Sequence, residues 1–286
     1  MAQSGQNSGE GYGLLAPALV VMGLGLAAPL LLLAITSLKD QNGLTLSQGW
    51  TLAQYGEALG RASYRMLFAR SVLISASVTL LTVGLAYPMA YFVAFHARRK
   101  FVWLVALTIP FWTSYLLRVF AWKIILGYNG VINSGLTRLH LIDHPLEFLL
   151  YNPFAVVVTL AHAWAAFAIL PIYVSLEKID RSLLEAASDL GDSAIRRFLR
   201  VTLPLSMPGV IGASILIFVP TTGDFVTPEL VGGTKGTMIA NLIEVQFNSV
   251  GNWPLGAALS LVSMAMVAVI AGLFAASLRA AAQRIR

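Results

Sequence analysis

Apolar runs of about twenty residues, long enough to cross a hydrocarbon core of about 30 Å, alternate with short polar segments along the chain. Six spans are expected, at about Leu14–Thr36, Ser71–Phe95, Phe101–Leu126, Phe154–Leu176, Leu205–Thr222 and Leu255–Leu278. Between them lie a polar connection from Lys39 to Arg70, amphipathic around Tyr55–Phe68 as if resting in the interface, and a polar loop from Gly127 to Pro153. One stretch differs from the rest, because Glu177–Gly209 is both charged and helix-patterned. Ser182 with Glu185 three residues later has the spacing of a capping box, so a helix is expected to begin there. Leu183, Leu184, Ala186, Ala187 and Leu190 give it an apolar face, and Gly191 suits a left-handed C-cap. Asp192 or Ser193 can cap a second helix carrying Arg196, Arg197 and Arg200, which Pro204 stops. A helix of about nine residues does not persist alone in water. Some surface, of this chain or of a partner, must hold it.

Composition fixes the class. Of 286 residues, 57% are hydrophobic and 11% charged, with a mean hydropathy of +0.76. Soluble domains carry about 25% charged residues, so the expected fold is an all-α polytopic membrane protein with the lipid bilayer as its medium. The net charge of +6 would suggest nucleic acid in a soluble chain. Here the basic residues fall in short segments between apolar runs, as topology signals do, and no nucleic-acid partner is expected. With no cysteine, disulfides, thiolate metal sites and a cysteine nucleophile are excluded. The opening MAQSGQNSGEGYG lacks the basic start of a cleaved signal peptide. Residues 1–13 are expected to be a disordered cytoplasmic tail, 14–280 the transmembrane domain, and 281–286 a basic cytoplasmic tail.

The basic residues also set orientation. Arg98, Arg99 and Lys100 fill the second connection, Lys178, Arg181, Arg196, Arg197 and Arg200 the fourth, and Arg279, Arg284 and Arg286 the end of the chain. These alternate connections should face the cytoplasm, with both termini there. Lys39, Arg61, Arg65 and Arg70 in the first connection argue the other way, against three segments that agree.

Two oddities lie within or beside the spans. Arg118 falls about 26 Å along a continuous third helix, where a charge is costly unless paired, snorkelling or facing water. Asp224, just past the fifth span, sits at similar depth and is the expected partner of Arg118. The plain alternative is an arginine that snorkels. The second oddity is Phe218–Gly233, FVPTTGDFVTPELVGG, where prolines, glycines and two carboxylates interrupt an apolar hairpin. Broken backbone at membrane depth is tolerated where protein buries it or water lines it. No phosphate-binding loop occurs, since Gly232–Thr237 lacks the required spacing and no Gly-Lys pair exists in the chain. The chain itself is therefore not expected to be an enzyme. It should bind no cofactor or metal, and ATP with its Mg would belong to partner subunits.

Glu185-Ala186-Ala187, three residues, Gly191, nine residues, then Val201-x-Leu203-Pro204 resembles the EAA loop of ABC importer permeases. The chain departs from that pattern by Val201 where the family has Ile. The resemblance implies a coupling loop at about 177–204, whose Glu185, Ala186, Ala187, Gly191, Leu203 and Pro204 dock on an ATP-binding subunit. Further runs are similar to the polyamine (spermidine/putrescine) branch of that family. They are Arg118 with Ala121-Trp122, Gly130-Val131-Ile132-Asn133, Leu149-Leu150-Tyr151-Asn152, Leu170-Pro171-Ile172-Tyr173, Gly223 to Gly233, and Asn252-Trp253-Pro254-Leu255-Gly256. They reach from the third span to the sixth, and Leu14 to Arg70 carries none.

The resemblance implies a permease subunit in the bacterial inner membrane. It would be paired with a second related permease, served by two ATP-binding subunits, and fed by a periplasmic or extracellular substrate-binding protein. A flexible polycation calls for ring faces and carboxylates. Trp112 and Tyr115, three apart on one face of a continuous helix, can supply the rings, and Asp224 and Glu229 the charge. Span-end Trp and Tyr also form ordinary interfacial belts, the plainer role for Trp122 and Trp253. His162 reads as a helix-packing residue. The alternatives are a permease for another small cation or a ferric chelate, and an ion-coupled secondary transporter working alone. An intramembrane hydrolase is a third class. The secondary transporter needs mid-span carboxylates and the hydrolase a nucleophile or metal constellation, and the sequence presents neither.

Overall fold

The computed structural model describes residues 8–42, 45–47 and 49–285. The chain opens with α1 (Ser8–Ser37), a hairpin of β1 (Gln41–Asn42) and β2 (Thr45–Leu46), α2 (Ala53–Gly60) and α3 (Ala62–Phe95). Next come α4 (Lys100–Thr108), a 3-10 turn at Ile109–Trp112, α5 (Tyr115–Leu126), α6 (Val131–Arg138) and α7 (Pro153–Glu177). Then follow α8 (Arg181–Asp189), α9 (Ala194–Arg197), a π-helical turn at Phe198–Thr202 and α10 (Leu203–Thr222). A second π-helical turn (Pro228–Gly232) precedes α11 (Gly233–Gly236) and α12 (Ile239–Val245), and a third (Gln246–Val250) precedes α13 (Trp253–Ile285).

Among the described residues, six helices are long and apolar enough to cross a membrane. They are Pro17–Ser37, Ala62–Phe95, Tyr115–Arg138, Pro153–Glu177, Ala194–Thr222 and Trp253–Ser277. The all-α class and the count of six are those read from the sequence. Several boundaries differ. α1 begins at Ser8, so the tail expected over 1–13 is helical from there, and residues 1–7 lie outside the described residues. α13 continues to Ile285, so the separate tail expected at 281–286 is the end of that helix as far as Ile285. α3 starts at Ala62, which turns part of the expected interfacial stretch into span.

The third span is broken. α4 gives way at Ile109, just before Pro110, to the 3-10 turn, and Thr113 and Ser114 are extended (ψ 153° and 139°) before α5 begins. Proline alone is not the cause, because Pro88, Pro171, Pro208 and Pro220 lie inside unbroken helices. Here local side chains bond carbonyls at the break, with Thr108 Oγ1 donating to Leu104 O (2.9 Å) and Thr113 Oγ1 to Pro110 O (2.7 Å). A span can stop where such substitutes exist.

The chain forms two compact units, 1–61 with 243–262 and 62–242 with 263–286. In the first, the Gln41 side chain donates to Gly251 O (2.6 Å) and accepts from Trp253 N–H (3.1 Å), so the hairpin holds the start of α13. Exposed Leu19, Met22, Leu26 and Leu31 ring α1, as on a helix with lipid around it.

In the second unit, α3, α7 and α10 form the core. Ala86, Ala90 and Ala94 of α3, Ala168 of α7 and Ala213 of α10 let the helices approach, and Val78, Leu160, Ile169, Ile172 and Ile217 fill the space between. Helices in lipid associate through such close packing, since lipid tails are as apolar as leucine. The tightest approach is at Gly209 on α10, where a Cβ would lie 2.4 Å from the Pro171 carbonyl oxygen and 2.5 Å from Ser175 Oγ. Gly209→Val should therefore lower stability by about 1–3 kcal/mol, read as a fall in Tm and in recovered protein. Gly212→Ala, whose Cβ meets nothing within 4 Å, should leave both unchanged.

Candidate functional site

Two regions of the second unit carry the chemistry singled out in the sequence. The first is the broken segment after α10. Asp224 turns the chain there, its Oδ1 accepting the N–H groups of Val226 (3.0 Å) and Thr227 (3.5 Å). Its Oδ2 accepts a short hydrogen bond from the Tyr115 hydroxyl at the start of α5. With that proton committed, the buried Thr227 hydroxyl, 2.6 Å away, donates to the Tyr115 oxygen.

Further along, Asn241 Nδ2 donates to Phe225 O (2.7 Å), and its Oδ1 accepts from Met238 N–H (3.0 Å). Ser71 Oγ accepts from Ile239 N–H (2.7 Å), and Arg70 donates to the carbonyls of Thr234 and Thr237 (3.2 and 3.3 Å). Side chains thus supply the hydrogen bonds that helix would have supplied. Arg70, which conflicted with the orientation rule, has this structural task. Neither Thr227 nor Asn241 was singled out in the sequence, since each works through a contact distant in the chain.

The four residues expected to line a cation path separate into two kinds. Tyr115 and Asp224 are half-buried and bonded to each other, whereas Trp112 and Glu229 are exposed. Trp112 ends the 3-10 turn and Tyr115 follows two extended residues, so they do not share one helix face. The Glu229 carboxylate stands on the second π-helical turn and forms no ion pair among the described residues.

The ion pair expected between Arg118 and Asp224 is not formed. Arg118 Nη1 donates to Ala163 O (3.1 Å), its guanidinium stands 5.2 Å over the Phe111 ring, and its Nε is buried with no partner. The break in the span is the reason. It leaves Arg118 against Ala163, ten residues past Pro153 on α7 and so about 15 Å along that helix. The expected depth assumed a continuous third helix, which the chain does not form. Arg118 lines a 390 Å³ cavity with Thr82, Phe111, Trp122 and His162, where the last two rings meet edge-on at 5.6 Å.

The second region is the α8–α9 loop. α8 begins at Arg181 with Asp180 as its cap, accepting from Ser182 N–H (3.0 Å), so the cap expected at Ser182 with Glu185 is replaced by Asp180, just upstream. The Ser182 backbone hydrogen bond holds the Asp180 carboxylate below the usual carboxylate range. The cap therefore persists at neutral pH and weakens as the medium acidifies. α8 ends as expected. Gly191 is left-handed (φ 85°), with Gly191 N–H bonding Ser188 O (2.9 Å) and Asp192 N–H bonding Ala187 O (3.0 Å). Ser193 caps α9, and Asp192 pairs with Arg200 (3.2 Å).

Of the apolar face, Ala187 is buried, but Glu185, Ala186, Leu183 and Ile195 are exposed and Leu190 is 88% exposed. Leu203 and Pro204 are half-buried where the loop enters α10. The basic connections lie together at this end. Lys100 pairs with Glu177 (2.9 Å), and His96, Arg181 and Arg197 line one 250 Å³ cleft.

Comparison with known proteins adds three findings. The family model of the binding-protein-dependent transport system inner membrane component matches residues 17–286. The spermidine/putrescine transport system permease protein PotB of Escherichia coli (strain K12) is 36% identical over 234 residues, 81% of this chain and 84% of that protein. PotB of Haemophilus influenzae is 33% identical over 242 residues, 84% of each. In fold, the chain is similar to the crystal structure of a bacterial ABC transporter involved in the import of the acidic polysaccharide alginate. The TM-score is 0.70 at 16% identity, covering 96% of this chain and 95% of that one.

The geometry predicts a stability order. Tyr115→Phe removes the donor to Asp224 Oδ2 and should cost about 1–3 kcal/mol. Glu229→Gln should change stability by less than about 0.5 kcal/mol. Thermal unfolding of the purified protein in one detergent checks both.

Proposed function

The chain belongs to the family of binding-protein-dependent transport system inner membrane components, and on that premise we propose that it is a permease subunit for polyamines of the spermidine/putrescine type. The observation that carries the substrate class is 36% identity across 81% of the chain to a relative named for spermidine/putrescine transport. The site chemistry agrees with a cationic substrate. Glu229, exposed five residues beyond Asp224, is the carboxylate free to meet an ammonium group, and exposed Trp112 offers a ring face. Asp224 and Tyr115 then belong to the wall of the path, held rigid by their hydrogen bond.

Import in this reading needs partners. A second related permease completes the path, two ATP-binding subunits supply ATP and Mg chemistry, and an external binding protein delivers the amine. The α8–α9 loop is the docking surface for an ATP-binding subunit, with Glu185, Ala186, Ala187 and Gly191 at its centre and Leu203-Pro204 as its link to α10. What supports this is the apolar surface left uncovered there, Leu183, Leu190 and Ile195, on a loop otherwise rich in charge. The clustering of Lys100, Arg181 and Arg197 at the same end favours a cytoplasmic position for that end, and with it for both termini.

Two experiments test the reading. Uptake of radiolabelled putrescine, spermidine and spermine by cells expressing the whole system should require this chain and its ATP-binding partner. Glu229→Gln should lower that uptake at least about fivefold at unchanged expression. Loss of ferric-chelate uptake with polyamine uptake intact would reassign the substrate. Separately, Glu185→Lys and Gly191→Val should reduce co-purification of the ATP-binding subunit at least about tenfold, while the permease is still recovered folded. Normal co-purification of both variants would remove the docking role.

A further inference from the structure

The α8–α9 loop meets the rest of the second unit through an aromatic contact on α3. Phe198, the first residue of the π-helical turn after α9, sets its ring edge-on to Tyr87 at 5.7 Å and to Tyr91 at 6.2 Å. The Tyr87 hydroxyl lies 2.8 Å from that of Ser206, which is fully buried on the first turn of α10. Ser206 donates its own proton to Leu203 O (3.0 Å), so Tyr87 is the donor to Ser206. One side chain of α3 thus grips both ends of the junction between loop and span, the ring holding Phe198 and the hydroxyl holding α10.

What lies between the two grips is soft. The π-helical turn at Phe198–Thr202 is wider than an α-helical turn, and such turns recur at functional sites. Pro204, just beyond it, has no N–H to add to the ladder. A displacement of α8 and α9 entering such a junction can be taken up in the π-helical turn if the backbone alone carries it. The stiff route runs through rings, from Phe198 to Tyr87 and Tyr91. Tyr91 is itself packed on Phe95 (4.9 Å) and His96 (5.8 Å) at the end of α3.

We infer that Phe198 and Tyr87 are positioning residues for transport, carrying motion of the α8–α9 loop to α3 and to the start of α10. The inference rests on the permease reading above and adds residues outside the EAA pattern. Phe198 lies in the nine-residue stretch that the pattern leaves open, and Tyr87 lies on another span.

The test uses the assembled complex in lipid nanodiscs. The chain has no cysteine, so Phe225→Cys, at an exposed position of the broken segment, gives a single reporter in this subunit. Its labelling by a membrane-impermeant maleimide is compared between nucleotide-free complex and complex trapped with ATP, Mg and vanadate. In the reporter background the labelling rate should differ between the two states by about fivefold or more. Adding Phe198→Ala should shrink that difference below about twofold, with the same ATP-binding subunit content and the same vanadate trapping. Phe198→Tyr should restore it, and Tyr87→Phe, which keeps the ring and loses the hydroxyl, should fall between.

A nucleotide response in Phe198→Ala equal to the background overturns the inference, and so does failure of Phe198→Tyr to restore it. Should Phe198→Ala not assemble, Tyr87→Phe decides, and an undiminished response in that variant overturns the inference. A complex that traps vanadate but shows no nucleotide response in the reporter background overturns the inference, whereas a chain that assembles with no ATP-binding subunit at all overturns the permease reading on which it rests. The two failures are therefore told apart.

Discussion

The hydrogen bond from Tyr115 to Asp224 joins two places where the backbone of the second unit leaves the helix at a span. Tyr115 is the first residue of α5, directly after the extended pair Thr113–Ser114, and Asp224 opens the broken segment after α10. In lipid a free peptide group costs several kcal/mol, so each break survives because side chains replace the missing ladder. Thr108 and Thr113 serve the first break, and Asp224, Asn241, Ser71 and Arg70 the second. Non-helical backbone at this depth is a place where a path for a polar solute can be built without unfolding a span.

That constraint sorts the charged and aromatic residues. A carboxylate bonded to a tyrosine and two backbone N–H groups is committed to holding shape, and Asp224 is such a group. Glu229, five residues on and exposed, carries no such commitment. Arg118 is left without a carboxylate and settles for a carbonyl and a ring face, both weaker partners for a guanidinium than an acid. The positive charge and the free negative charge are thus satisfied separately.

The helices α3, α7 and α10 connect these features to the loop at the other end. Small residues bring them into contact, and Gly209 against Pro171 leaves no room for relative sliding there. A closely packed trio can pass a displacement along its length. The helix departs from α geometry at the π-helical turns at Phe198–Thr202 and Pro228–Gly232.

The sequence by itself determined whatever depends on short-range pattern. Apolar run length gave six spans, the low charge content gave the membrane, and Gly191 marked a left-handed cap that α8 does use. The cap at the other end falls on Asp180 rather than Ser182, since both are good N-cap residues and only the backbone path selects between them. Pro110 looked like the other span prolines, and the break beside it became visible only with Thr113 and Ser114 extended. The partner of Asp224 was beyond reach for a related reason. Tyr115 is 109 residues away in the chain, and no periodicity records a pairing that arises when two spans pack. Depth along one helix suggested Arg118 for Asp224. With the third span broken, Arg118 bonds the Ala163 carbonyl and Tyr115 takes its place at Asp224, a choice that tertiary packing alone decided.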